Sequence, residues 1–231
     1  EEKIDLLVDA GLVSVEMGIE SGSKRTNKEL YKRPHKDEHI LTCGSLISGK
    51  YKGKVVPYYD VIMDNPWENH DDVSKTIRLI QKLPRPFKLS HFSLTFFPGT
   101  DLYFRALKEG LITNFVEEVV KKKNNRLYAD KDPFSKLLVS ISPYVEGELG
   151  RKIISLLAHP LLLQIMNGKL MSKPVCKVTE FMIVFKSWYN SKRATRSLSA
   201  PAVADSGQKP PFAYRTSREL PMDDLVLEDY R

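Results

Sequence analysis

The chain has 231 residues, 42% apolar and 28% charged, with a net charge of +7; that is enough for one or two domains with a sizeable core. No run approaches the roughly 18 apolar residues a membrane span needs, and no signal peptide follows Glu1-Glu2-Lys3. Two distant cysteines, Cys43 and Cys176, exclude a disulfide framework and a cysteine metal motif and point to a reducing, cytoplasmic setting.

Residues 3–10 carry helical periodicity, with Ile4, Leu7 and Val8 on one face and Gly11 as the stop. The chain thus opens inside an amphipathic helix with no initiator methionine, which suggests truncation. From Leu12 to Glu20, Val13, Val15, Met17 and Ile19 alternate with Ser14, Glu16, Gly18 and Glu20, the period of a strand with one apolar and one polar face. A polar loop is expected from Ser21 to Lys36. Asp37 is placed to cap a helix that buries Ile40, Cys43, Gly44 and Ile47.

A second strand is expected from Val55 to Asp64, with Tyr58, Asp60, Ile62 and Asp64 opposite Val55, Tyr59, Val61 and Met63. Asn69, with Asp72 three residues on, starts a helix burying Val73, Ile77 and Ile80, which Pro84-Arg85-Pro86 stops. In a third strand, Lys88 to Phe97, Leu89, His91, Ser93 and Thr95 alternate with Ser90, Phe92, Leu94 and Phe96. Pro98-Gly99 ends it, and Thr100 caps a helix that stops at Gly110.

This βαβαβα order predicts a parallel sheet with right-handed crossovers. Strands buried on both faces are apolar throughout. Here each has acids, hydroxyls or a histidine on one face, which implies a barrel or half-barrel with a wet lumen and apolar faces packed on outer helices. Residues 114–190 are expected to be a helical extension broken by Pro143, Pro160 and Pro174, and 191–231 a mostly disordered tail. Residues 1–113 carry 17 basic and 16 acidic side chains and 114–190 carry 12 and 7, so the positive excess lies in the extension, around Lys121-Lys122-Lys123. No aromatics interleave with that cluster, so a solvated helix face is favoured over a nucleic-acid surface.

Three strand ends carry motifs: Gly18-Ile19-Glu20-Ser21-Gly22-Ser23; Asp60-Val61-Ile62-Met63-Asp64-Asn65-Pro66-Trp67-Glu68; and Pro98-Gly99-Thr100. Together they resemble the fourth, fifth and sixth strands of radical S-adenosylmethionine (SAM) enzymes, closest to the branch with an N-terminal cobalamin-binding domain. The resemblance covers residues 1–115. Asp64 and Trp67 stand where much of that family has glycine.

The resemblance implies the C-terminal half of a radical SAM barrel. In it Glu20, with Asp60, accepts the ribose hydroxyls of SAM, and Arg33 clamps the methionyl carboxylate. Gly22 would let the backbone approach the ligand, Ser21 would add a hydroxyl contact, and the backbone of residues 93–97 would border adenine. Each has a structural alternative: Glu20 a helix cap, Asp60 an internal acceptor, Arg33 a surface charge, Glu68 and Asn69 caps of the next helix, His91 a satisfied interior residue.

The family's C-x-x-x-C-x-x-C motif, which holds a 4Fe-4S cluster, is absent from this chain, so the chain by itself is expected to be inactive. SAM would bind here. The cluster and, in the cobalamin branch, cobalamin would belong to a missing N-terminal half or a partner chain. The substrate is expected to be a small molecule, and no catalytic residue or metal ligand is assigned. A non-catalytic remnant or binding subunit that folds with a partner is the alternative. A phosphate-binding barrel is disfavoured because no Gly-rich loop precedes a helix.

Overall fold

Gly11, at φ 98°, turns the chain out of α1 (Glu2–Asp9) and into β1 (Ser14–Glu20); only glycine holds that backbone without strain. The computed structural model describes residues 1–116, 119, 131–169, 171–179 and 181. The elements below belong to the compact unit Glu1–Asn190. The expected tail 191–231 and the Lys121–Lys123 cluster lie outside the described residues.

β1, β2 (Val56–Met63) and β3 (Lys88–Ser93) form one parallel sheet in the order β1-β2-β3. α2 (Asp37–Gly49) and α3 (His70–Lys82) are the crossovers, long enough for parallel neighbours to pair. Among the described residues this three-stranded sheet stays open; the expected barrel closure is not formed by them. α4 (Asp101–Lys108) follows, with Thr100 Oγ1 accepting from Tyr103 N at 3.2 Å, the expected cap. Then come α5 (Pro133–Ile141), a 3-10 turn (Ser142–Tyr144), α6 (Glu148–Leu157) and α7 (Pro160–Met166). Residues 171–179 are helical. Among the described residues no single helix is long and apolar enough to cross a membrane.

Asn69 caps α3 in a full capping box: its side chain accepts from Asp71 and Asp72 N–H groups, and Asp72 reaches back to the Asn69 N–H. α2 has no such cap. Asp37 is its first helical residue rather than its cap, and Lys36 precedes it without a side-chain bond.

α5, α6 and α7 pack on α3. They share one core with the sheet, in which Tyr59, Val61, Ile77, Leu138, Val139 and Leu163 are fully buried. α5, α6 and α7 therefore cover one face of the sheet instead of forming a core of their own.

The other face is open. The register sets Gly18 beside Asp60 and Asp60 beside Ser90, and Ile62 beside Phe92. The expected face assignment holds for β1 and β2 and fails for β3. Leu89 pairs with Tyr59 and His91 with Val61, so His91 and Ser93 point into the helix-packed core. His91 is buried, and its Nε2 lies 3.5 Å from Ser140 Oγ on α5. Alternation alone cannot say which of two mixed faces meets the helices; pairing with β2 decides it. β3 is also shorter than expected, ending at Ser93 rather than Phe97. Cys43, expected inside, is exposed on α2. The loop from Ser21 to Lys36 contains a π-helical turn, Thr26–Leu30.

Candidate functional site

The carboxyl ends of the three strands border a cavity of about 610 Å3, in the size range of small-molecule sites. Glu20, Arg33 and Asp60 line it together with the apolar side chains Leu30, Ile62 and Phe92. Leu94, Phe97 and Leu102 form the far wall. Three of the five expected site residues thus share one cavity.

Glu20 reaches the cavity through a bulge. The register slips between Gly18 and Glu20, so that Glu20 stands opposite Val61, and Glu20 adopts φ 60°. Its carboxylate Oε1 lies 2.6 Å from Arg33 Nη1. The Glu20 side chain is 12% exposed and that of Arg33 is 69% exposed. The two residues expected to hold opposite ends of SAM pair with each other in this structure. Glu20 caps no helix. A Cβ on Gly18 would lie 2.6 Å from Glu20 Oε1, so Gly18 gives room to the glutamate itself.

Asp60 occupies the middle strand. Its Oδ1 is buried and accepts no hydrogen bond from the described residues. Burial first, then the Glu16 carboxyl beside it and the charge of Glu20, push its pKa up to about 6, while the Ser90 hydroxyl works in the opposite direction. No side chain separates these acids, because the residue between Glu16 and Glu20 on that face is Gly18.

The raised value has a pH signature. A carboxyl protonated more readily when folded than unfolded stabilises the fold below its unfolded pKa, and this contribution is lost as pH rises through the folded value. Glu68, pushed up by burial, acts in the same direction. Melting temperature is therefore expected to fall between about pH 4 and 6. Asp60→Asn should flatten that slope and raise stability at pH 8; an unchanged slope in the variant would remove the carboxyl cluster as its cause.

Ser21 and Gly22 do not reach the cavity. Ser21 is 1% exposed and donates to Glu68 Oε1 at 2.6 Å. Gly22 N donates to Thr76 Oγ1 at 2.8 Å. A Cβ on Gly22 would sit 2.5 Å from the Lys75 carbonyl oxygen and 2.6 Å from Thr76 Cα. The glycine lets the loop lie against the backbone of α3. Ser23 Oγ donates to Asp72 at 2.6 Å, and Arg25 Nη2 lies 2.5 Å from the same carboxylate. Glu68 is the acceptor that anchors this loop rather than a helix cap.

Sequence reasoning missed several residues around the cavity. Tyr31 and Lys32, from the loop, line it. Burial raises the Tyr31 phenol above its ordinary range, and its OH accepts from Asn65 Nδ2 at 3.0 Å. Asp64, at φ 58°, leaves the open face. It accepts from Ser93 Oγ and lies 2.8 Å from Nζ of the buried Lys136. No sequence signal connects Lys136 to this strand end. The polar face of β1 did mark Glu16.

Among the described residues no group of three or more His, Cys, Asp or Glu side chains could hold a metal ion. Cys43 is exposed and Cys176 half-buried, and neither belongs to a thiolate set, so these residues do not fit an iron–sulfur cluster. In comparison with known proteins, no family model matches the chain, and no curated protein matches it at significant similarity.

Proposed function

We propose that this chain supplies the later strands of a radical SAM barrel and binds the nucleoside part of SAM in the cavity at the carboxyl ends of β1, β2 and β3. The observation that carries this reading is the unfilled Asp60 Oδ1 beside Glu20 in a half-apolar cavity of about 610 Å3. Ribose offers two hydroxyl donors, and a carboxylate accepts them in charge-assisted bonds. Leu30, Ile62 and Phe92 offer apolar surface to the base. Arg33, half out in solvent, would turn from Glu20 toward the methionyl carboxylate.

Bound SAM would be the source of the 5′-deoxyadenosyl group for radical chemistry or for cobalamin-dependent methyl transfer. The cluster, and cobalamin where it takes part, would come from a polypeptide segment or partner chain other than the described residues. What this chain does is to hold the nucleoside, orient its ribose and cover it with apolar side chains. Ser21 and Gly22 act one step back, by fixing the turn that presents Glu20.

Calorimetric titration with SAM tests this. Removing one charge-assisted bond costs roughly 1.5–3 kcal/mol, so Glu20→Ala should weaken binding at least about tenfold. Glu20→Gln keeps the side-chain volume and should weaken it less. Unfolding of the same variants separates affinity from fold. Affinity untouched by Glu20→Ala and by Asp60→Asn would overturn the assignment, as would failure of the wild-type chain to bind SAM, S-adenosylhomocysteine or adenosine.

A further inference from the structure

Beyond its first turn, every exposed position of α3 is cationic: Lys75, Arg78 and Lys82. They are spaced i, i+3, i+7 and so form a single row on one face of the helix. Helices ordinarily offset such charges with acids three or four residues away, and like charges at these spacings are destabilising. Lys75 has Asp71 at 2.6 Å. Arg78 has no acid within reach on α3: its neighbours at those spacings are Ser74, Lys75, Gln81 and Lys82. Lys82 gains from the carboxyl end of the helix dipole; Arg78, mid-helix, does not.

The row lies between two cavities that share Arg78 and Lys82. The first, of about 350 Å3, adds Lys24 and Arg25 from the loop after β1, with Asp37 as its one acid. The second, of about 540 Å3, adds Arg151 and Lys152 from α6, with Glu148 as its one acid. Glu148 is already taken by Lys152 at 2.7 Å, and Arg25 is taken by Asp72. Among the described residues no ion pair engages Lys24, Arg78, Lys82 or Arg151. Arg151 also contributes, after burial, to holding the neighbouring Arg85 guanidinium below its usual value.

We propose that this strip is a docking surface for the phosphodiester backbone of a single nucleic-acid strand. Arg78 and Lys82 on the helix, with Lys24 in one adjoining cavity and Arg151 in the other, all without an ion pair among the described residues, fit a succession of phosphates better than one phosphate group. Lys75 and Lys82 are about 10 Å apart along the axis at 1.5 Å per residue, and Lys24, Lys75, Arg78 and Lys82 are exposed, with Arg151 half-buried. No aromatic side chain lines either cavity, so nothing is placed to stack on bases; binding is by charge and indifferent to sequence. The strip lies on the outer face of α3 and is independent of the nucleoside cavity.

Fluorescence anisotropy with a labelled 20-nucleotide uridine strand, on the full chain at 50–200 mM salt, tests it. Arg78→Glu with Lys82→Glu should weaken binding at least tenfold at 100 mM salt. In Arg78→Ala with Lys82→Ala, which only deletes the two contacts, the log–log salt slope should fall by about 1.4, at roughly 0.7 per contact. Lys52→Glu with Lys54→Glu, the same charge change at exposed lysines between α2 and β2, should weaken binding less than twofold. Equal losses in the two charge-reversed proteins would reduce the effect to net charge and overturn the proposal. Absence of salt-dependent binding at 50 mM would overturn it too, as would binding of phosphatidylserine vesicles or of pyrophosphate in place of the strand.

Discussion

Lys136→Ala is expected to cost about 3–5 kcal/mol of stability, the usual penalty for removing one partner of a buried ion pair. The Lys136 side chain is 1% exposed and that of Asp64 is 6% exposed, with 2.8 Å between Nζ and Oδ1. Without the ammonium, the Asp64 carboxylate stays in the core with the Ser93 hydroxyl on its other oxygen. Urea unfolding of the wild type and variant measures the cost. Lys136→Met combined with Asp64→Asn removes both charges, and asparagine tolerates the left-handed backbone at φ 58°. That double variant should lie within about 1 kcal/mol of wild type, because a well-packed neutral pair can replace a buried charged one. A Lys136→Ala cost below about 1 kcal/mol would mean the charges are hydrated and the pair is not a core contact.

Gly22→Ala is the second large effect. The added methyl would lie 2.5 Å from a carbonyl oxygen and 2.6 Å from a Cα of α3, and neither can swing aside as the end of a side chain can. The loop is held by Ser21 on Glu68, by its own N–H on Thr76 and by Ser23 on Asp72, so loop or helix must move and those bonds lengthen. Overpacking of this kind costs roughly 1–3 kcal/mol, and the loss of buried bonds takes the expected value to the upper end. The unfolding midpoint should drop accordingly. SAM affinity should fall only as far as Glu20 is displaced. Were Gly22 instead a place where backbone touches ligand, stability would be nearly unchanged and affinity would collapse. Measuring both on one variant decides between these roles.

Much of the fold was legible because it rests on local rules. The alternation through Val13 to Ile19 and through Tyr58 to Met63 marked two strands, and the Asn69/Asp72 spacing marked the start of α3, since a capping box lies within four residues. Parallel pairing followed from the intervening helices. Asp60 facing the cavity and Glu16 beside it followed from period-two geometry.

Other features depend on which distant residues meet. The orientation of His91 and Ser93 was decided by pairing with β2 and by α5, whose sequence lies more than 40 residues on. The ion pair of Glu20 with Arg33 needs the bulge at Ile19 and the path of the loop through Asn27, whose Nδ2 donates to the Ser21 carbonyl. The close approach of Gly22 to α3 exists only because that helix passes beneath the loop. Lys136 on an apolar helix has the pattern of a stray surface charge until tertiary packing sets it against Asp64. Strand period and helix caps are encoded over two to four residues and survive in the sequence alone. Burial, charge pairing and the identity of a neighbour are long-range quantities that exist only once the chain has closed on itself.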